Sequence, residues 1–197
     1  MLYKVPVDLG PEFESYMKRL KSGRHIGLEG TWYFKPKLGA GIDLTWFGSG
    51  ESQDSLLATN GFFTIRGNIS DRINILNVSP TLNGRLPLFQ NRLQVSGGCG
   101  PTYMYYHNVG HALTDSATFR GSSAGFTGKI ALETEVVSGL WIGAGSAYLY
   151  SKLKKLSKIT ISGTEIIVLS KEEYQDISRI DVFVALSYRF GRKNKQE

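Results

Sequence analysis

The last segment of the chain alternates without a break. Ile180, Val182, Val184, Leu186, Tyr188 and Phe190 fall on one side of an extended backbone, and Asp181, Ala185, Ser187 and Arg189 on the other. Successive side chains point to opposite faces only in a β-strand, so a period of two excludes a helix here. It also demands a sheet with one apolar and one polar face. The same arithmetic recurs upstream. From Arg24 to Phe34 the even positions are Ile26, Leu28, Gly30, Trp32 and Phe34, set against His25, Gly27, Glu29, Thr31 and Tyr33. Lys35-Pro36-Lys37 reads as a tight turn, because proline removes a ladder donor. Beyond it Leu38, Ala40, Ile42, Leu44 and Trp46 oppose Gly39, Gly41, Asp43 and Thr45.

Four more runs behave alike. Leu76, Val78, Pro80, Leu82, Leu86 and Leu88 oppose Asn77, Ser79, Thr81, Asn83 and Arg85; Leu93, Val95, Cys99, Tyr103 and Tyr105 oppose Gln94, Ser96, Gly98, Gly100 and Thr102. Ala124, Phe126, Ile130 and Leu132 oppose Ser123, Gly125, Thr127, Lys129 and Glu133, and Leu140, Ile142, Ala144 and Tyr148 oppose Gly143, Gly145 and Ala147. These are seven full strands, and Leu2–Val7 reads as the end of an eighth. Short connections fall at 35–37, 89–91 and about 136–139, and long ones at about 8–23, 48–72, 107–118 and 152–178. Hairpins with tight turns at one end and long loops at the other predict an all-β fold, an eight-stranded antiparallel up-and-down barrel. It occupies residues 1–191 as one domain, with 192–197 a charged tail. Residues 11–21 admit a short helix, since Pro11 suits a first helical position and Phe13, Tyr16, Met17 and Leu20 keep helical spacing. A lid over the barrel rim is its expected role.

Periodicity alone leaves open which face points outward. A soluble lipocalin-like barrel would enclose the apolar face and bind an apolar ligand. Three features favour a transmembrane barrel with that face toward lipid. The chain holds 23 glycines in 197 residues, well above the usual share of roughly 7%. Many sit on the polar parity, where they relieve crowding inside a narrow barrel. Aromatics gather toward strand ends, with Trp32, Phe34, Tyr188 and Phe190 at the short-turn end and Trp46, Tyr103, Tyr105, Tyr148 and Tyr150 toward the long loops, as two interfacial girdles require. Charges within the strands, of both signs, keep to the polar parity.

The run from Tyr16 to Trp46, the stretch Ser79–Tyr105 and the closing Ser178–Phe190 resemble the small outer-membrane β-barrel proteins of Gram-negative bacteria, the OmpA/OmpX-like or OmpW-like group. The resemblance covers nearly the whole chain and implies a bacterial outer-membrane location, with lipid bilayer and lipopolysaccharide as surroundings. It also implies a closing aromatic signal, Phe190 with Tyr188, read by the barrel-assembly machinery. An export signal is absent before Leu2, which taken alone reads as cytoplasmic; the barrel pattern favours upstream residues beyond this sequence.

Chemistry is sparse. With a three-residue turn Glu29 lies opposite Asp43, and paired carboxylates serve acid–base catalysis in glycosidases. Here Glu29, Asp43, Arg85, Lys129, Glu133, Asp181 and Arg189 are expected to form an interior charge network instead. His107 and His111 are four apart in a segment read as loop, where that spacing holds no metal. His25 beside Ser22 or Ser178 offers a lipid-modifying hydrolase as a further alternative, without nucleophile spacing. Gly98-Cys99-Gly100 is no phosphate loop, and Lys152–Lys158 suits either acidic lipopolysaccharide headgroups or plain solvation. The single Cys99 excludes a disulfide framework, and +6 net charge, partly at the chain ends, marks no nucleic-acid surface. The expectation is therefore a structural or surface-binding protein, not an enzyme, with no cofactor and an unknown surface ligand.

Overall fold

A computed structural model describes residues 15, 16, 18–59, 64–89, 92–112, 115–171 and 174–190, with no side-chain account at 55–66. The predicted strand at Leu2–Val7, the start of the predicted helix and the tail at 192–197 lie outside these residues. Helical backbone is present at 15, 16 and 18–20.

Ten strands make up the described chain: β1 (Arg24–Lys35), β2 (Leu38–Thr59), β3 (Thr64–Leu88), β4 (Leu93–Ala112), β5 (Asp115–Val137), β6 (Leu140–Leu153), β7 (Lys155–Thr160), β8 (Gly163–Val168), β9 (Gln175–Asp176) and β10 (Arg179–Tyr188). The main path runs β1-β2-β3-β4-β5-β6-β10 with antiparallel neighbours throughout, an up-and-down sheet. The tight turns fall where the punctuation residues predict. Pro36 and Lys37 join β1 to β2, and Ser138-Gly139 joins β5 to β6, with Gly139 at φ 83, a conformation that glycine adopts without Cβ strain.

Two expectations are corrected. The sheet is not closed: among the described residues β1 and β10 are its free edges. Arg24 pairs with Gly48 and Lys35 with Leu38, so β1 descends toward the tight-turn end. Arg179 pairs with Leu149 and Tyr188 with Leu140, so β10 descends too. Edges running the same way cannot be antiparallel neighbours. Nor are three of the four long connections, 48–72, 107–118 and much of 152–178, loops. β2 and β3 pair out to Thr59–Thr64, β4 and β5 out to Ala112–Asp115, and β7 and β8 form a hairpin that docks on β5. The apolar alternation fades at about residue 48, but ladder hydrogen bonds need no apolar side chains, so pairing continues. β3 reaches 25 residues against 12 in β1.

The two faces are unlike. Exposed on one are Leu28 (73%), Ile42 (61%) and Val184 (78%), with Leu44, Val78, Leu82, Ile130 and Leu132 beside them. Buried on the other are Asn77 (1%), Ser79, Thr81, Asn83, Gln94, Thr102, Thr127 and Asp181. This reverses the usual arrangement of a water-soluble protein. Toward the long-hairpin end the inward parity changes character. Phe47, Ile75, Met104, Tyr106, Phe119, Leu149, Leu153, Leu156 and Ile177 form one apolar cluster there. Phe47, Ile75, Met104, Phe119 and Leu149 continue the same inward parity as Asp43, Asn77, Thr102, Thr127 and Ala147, so a single face carries a polar middle and an apolar end.

Candidate functional site in the sheet interior

Cross-strand register places Glu29 directly opposite Asp43, as the turn arithmetic predicts. Two carboxylates so placed repel unless a cation lies between them. Lys129, reaching across from β5, supplies it: its Nζ lies 2.6 Å from Glu29 Oε2 and 3.0 Å from Asp43 Oδ2. β5 is a sheet neighbour of neither β1 nor β2, so the contact spans a curved interior. Asn83 Nδ2 donates to Glu29 Oε1 (3.1 Å) and to Thr31 Oγ1 (2.7 Å), and so helps orient the carboxylate.

The remaining charges form separate groups. Arg189 bonds Glu133 through Nη2 and donates from Nη1 to Gln94 Oε1 at 2.8 Å, with its guanidinium 3.7 Å over the Trp141 ring. Asp181 accepts from Arg179 Nε at 2.9 and 3.1 Å. Arg85 makes no carboxylate contact among the described residues. Its guanidinium lies 4.0 Å over the Tyr33 ring, and Nε donates to the Pro36 carbonyl at 2.7 Å. Thus the seven charges predicted as one network resolve into three ion-paired groups and one stacked arginine. Arg179 and Gln94 were missed as members, although both sit on the polar parity that marks the others.

These groups border a cavity of about 1440 Å³ that extends to the free edges of β1 and β10. Leu28 and Val184, on the edge strands β1 and β10, are among its lining residues, and Ile42 on β2 is not. His25 meets Phe183 edge-on at 6.5 Å between ring centroids on the inward face. His107 and His111 lie within β4, not in a loop; His107 pairs with Asn74 and Arg120, and His111 with Ser70 and Ser116. Ser178 accepts the Ser151 backbone N–H at 3.2 Å, and its own N–H donates to Asp176 Oδ1. That contact holds Asp176 below the usual carboxylate range, through the Ser178 hydrogen bonds chiefly.

On the outward face Trp32 and Phe34 pack 6.1 Å apart and Tyr188 and Phe190 edge-on at 4.7 Å, all near the tight turns. Trp46, Tyr103, Tyr105, Tyr148 and Tyr150 stand exposed toward the other end, joined by Phe126. Trp32 pairs with Ala40 and Ile26 with Trp46, so six residues of β2, roughly 20 Å at about 3.3 Å each, separate the two aromatic levels. At the hairpin end Tyr16 packs down from the helical segment and donates to Asp71 Oδ2 at 2.7 Å. Burial first, and then the Asp71 carboxylate, push its phenol well above the ordinary tyrosine range.

Neither a scan against protein-family models nor a search of the curated proteins finds a match to this chain.

Proposed function

We propose that this chain is an integral outer-membrane β-barrel protein of a Gram-negative bacterium, with a polar interior and a structural or surface-binding role carried by its long hairpins. The observation that carries the reading is the inverted pair of faces. A band of Leu, Ile and Val bounded by aromatics, its two aromatic levels about 20 Å apart along the strand, has nothing in water to cover it. Hydrocarbon covers it without loss, and it places the ion pairs of Glu29, Asp43, Lys129, Glu133 and Arg189 away from lipid. A lipocalin-like calyx needs the apolar side chains inward along its wall, whereas the middle of the inner face is polar here.

An open edge within hydrocarbon would leave backbone donors and acceptors unpaired. The parallel edges β1 and β10 therefore call for one ascending strand, which makes eight, and Leu2–Val7 is the segment of this sequence suited to it. The strands β2 to β5 then rise beyond the bilayer as paired hairpins, a surface for adhesion, protection or contact with other envelope components. Lipopolysaccharide is the expected neighbour of the lysines at 152, 154, 155 and 158, and the barrel-assembly machinery that of Tyr188 and Phe190.

Gel mobility in detergent tests the reading. Unboiled protein migrating apart from boiled protein supports a closed membrane barrel. A monodisperse monomer without detergent, and no heat-modifiable band, overturns it.

A further inference from the structure

We infer that Arg179 anchors an oxyanion-binding site at the hairpin end of the interior cavity, built to take the phosphate or carboxylate group of a small ligand. Arg179 opens β10 and points inward. Its Nε is held by both oxygens of Asp181, and its guanidinium lies 4.9 Å over the Phe47 ring. The side chains of this pair are only 10% and 5% exposed. Among the described residues neither Nη1 nor Nη2 has a hydrogen-bond partner, although both are buried. Four of the five N–H donors of an arginine belong to those two nitrogens, and burying charged donors without acceptors is costly.

A second interior arginine makes a contrast. Arg189 spends both Nη atoms, on Gln94 and Glu133. Among the described arginines Arg179 is the one whose outer fork is buried without acceptors, and such a fork fits two oxygens of a carboxylate or phosphate side by side. The surroundings favour an anion over a neutral acceptor. Lys21 and His25 line the same cavity, and His25 pairs with Phe47, the ring under Arg179. Each carboxylate on the cavity wall already has a cation: Glu29 and Asp43 share Lys129, Glu133 has Arg189 and Asp181 has Arg179 itself. Phe47 fixes the guanidinium plane, and Asp181 fixes its rotation, so the fork is held before any ligand arrives. This site does not depend on the membrane reading, since the geometry is that of the interior alone.

The test titrates inorganic phosphate and, separately, acetate into the folded protein in maltoside micelles at constant ionic strength. Binding is followed by the arginine Nε–Hε NMR resonances and by thermal unfolding. Saturable binding of either anion, with a shift at Arg179, is the expected result. Tighter phosphate assigns a phosphate-bearing ligand, and tighter acetate a carboxylate-bearing one. Arg179→Lys keeps a cation against Asp181 but lacks the fork, so it should bind about tenfold more weakly. Lys21→Ala, at the exposed rim, keeps the fold whatever Arg179→Lys does, and should weaken binding with a shallower salt dependence. No saturable response to either anion in the folded wild-type protein overturns the site. So does unchanged affinity in a folded Arg179→Lys protein.

Discussion

Lys129 is the residue on which the interior depends most. Among the described residues it alone pairs with both Glu29 and Asp43, and its side chain is largely buried. Lys129→Met leaves two facing carboxylates without their cation, a loss of about 3 kcal/mol by the usual cost of breaking a buried pair. Adding Glu29→Gln removes the repulsion and should recover a large part of it. Denaturant unfolding in micelles checks both, and equal stability of wild type and Lys129→Met would show that the pair carries no weight. The parity of the sequence marks Glu29, Asp43 and Lys129 as sharing a face, and the turn length places the carboxylates opposite each other. It does not reveal that Lys129 bridges them, because contact between strands that are not sheet neighbours depends on curvature. Arg179 was overlooked for a related reason: its importance lies in donors left over once Asp181 is engaged.

At the scale of elements, strand existence and register are legible because alternation is strict where one face is apolar. Strand ends are not. β2 through β5 continue past about residue 48 on hydrogen bonds that no side-chain pattern announces, and the apolar inner end, from Phe47 to Leu153, is hidden within a parity that begins as polar. Close packing also constrains the middle of the strands. A Cβ at Gly100 would lie 2.0 Å from the Pro80 carbonyl oxygen. Gly100→Val should therefore separate β3 from β4 locally and cost about 1–3 kcal/mol, by overpacking, read as a lowered unfolding midpoint. The helical segment makes a pH-dependent contact. The Tyr16 phenol is raised above its unfolded value of about 10. Its hydrogen bond to Asp71 therefore contributes fully below that pH and is lost as pH rises further. Proteolysis near residues 15–20 should accelerate above about pH 10, and Tyr16→Phe should show the faster cleavage already at neutral pH. A pH-independent cleavage rate would remove the contact from the stability of the helical segment.

The described residues form an antiparallel sheet with an apolar outer face and a largely polar, charged inner one, its two edge strands running the same way. Leu44 lies mid-band, paired with Leu28 and Val78. If the band meets hydrocarbon, Leu44→Arg should cost about 2–4 kcal/mol near the midplane; full stability and assembly of that variant would contradict the outward assignment. Spin labels read the same assignment position by position. The native Cys99 is exposed on the outward face of β4, and Ile42→Cys and Thr127→Cys in a Cys99→Ser background sample the outer and inner faces. In lipid bilayers, labels at 99 and 42 should collide freely with dissolved oxygen and poorly with a water-soluble nickel chelate, while the label at 127 should be shielded from oxygen. The reverse pattern, with 99 and 42 open to the chelate, would contradict the inversion of faces.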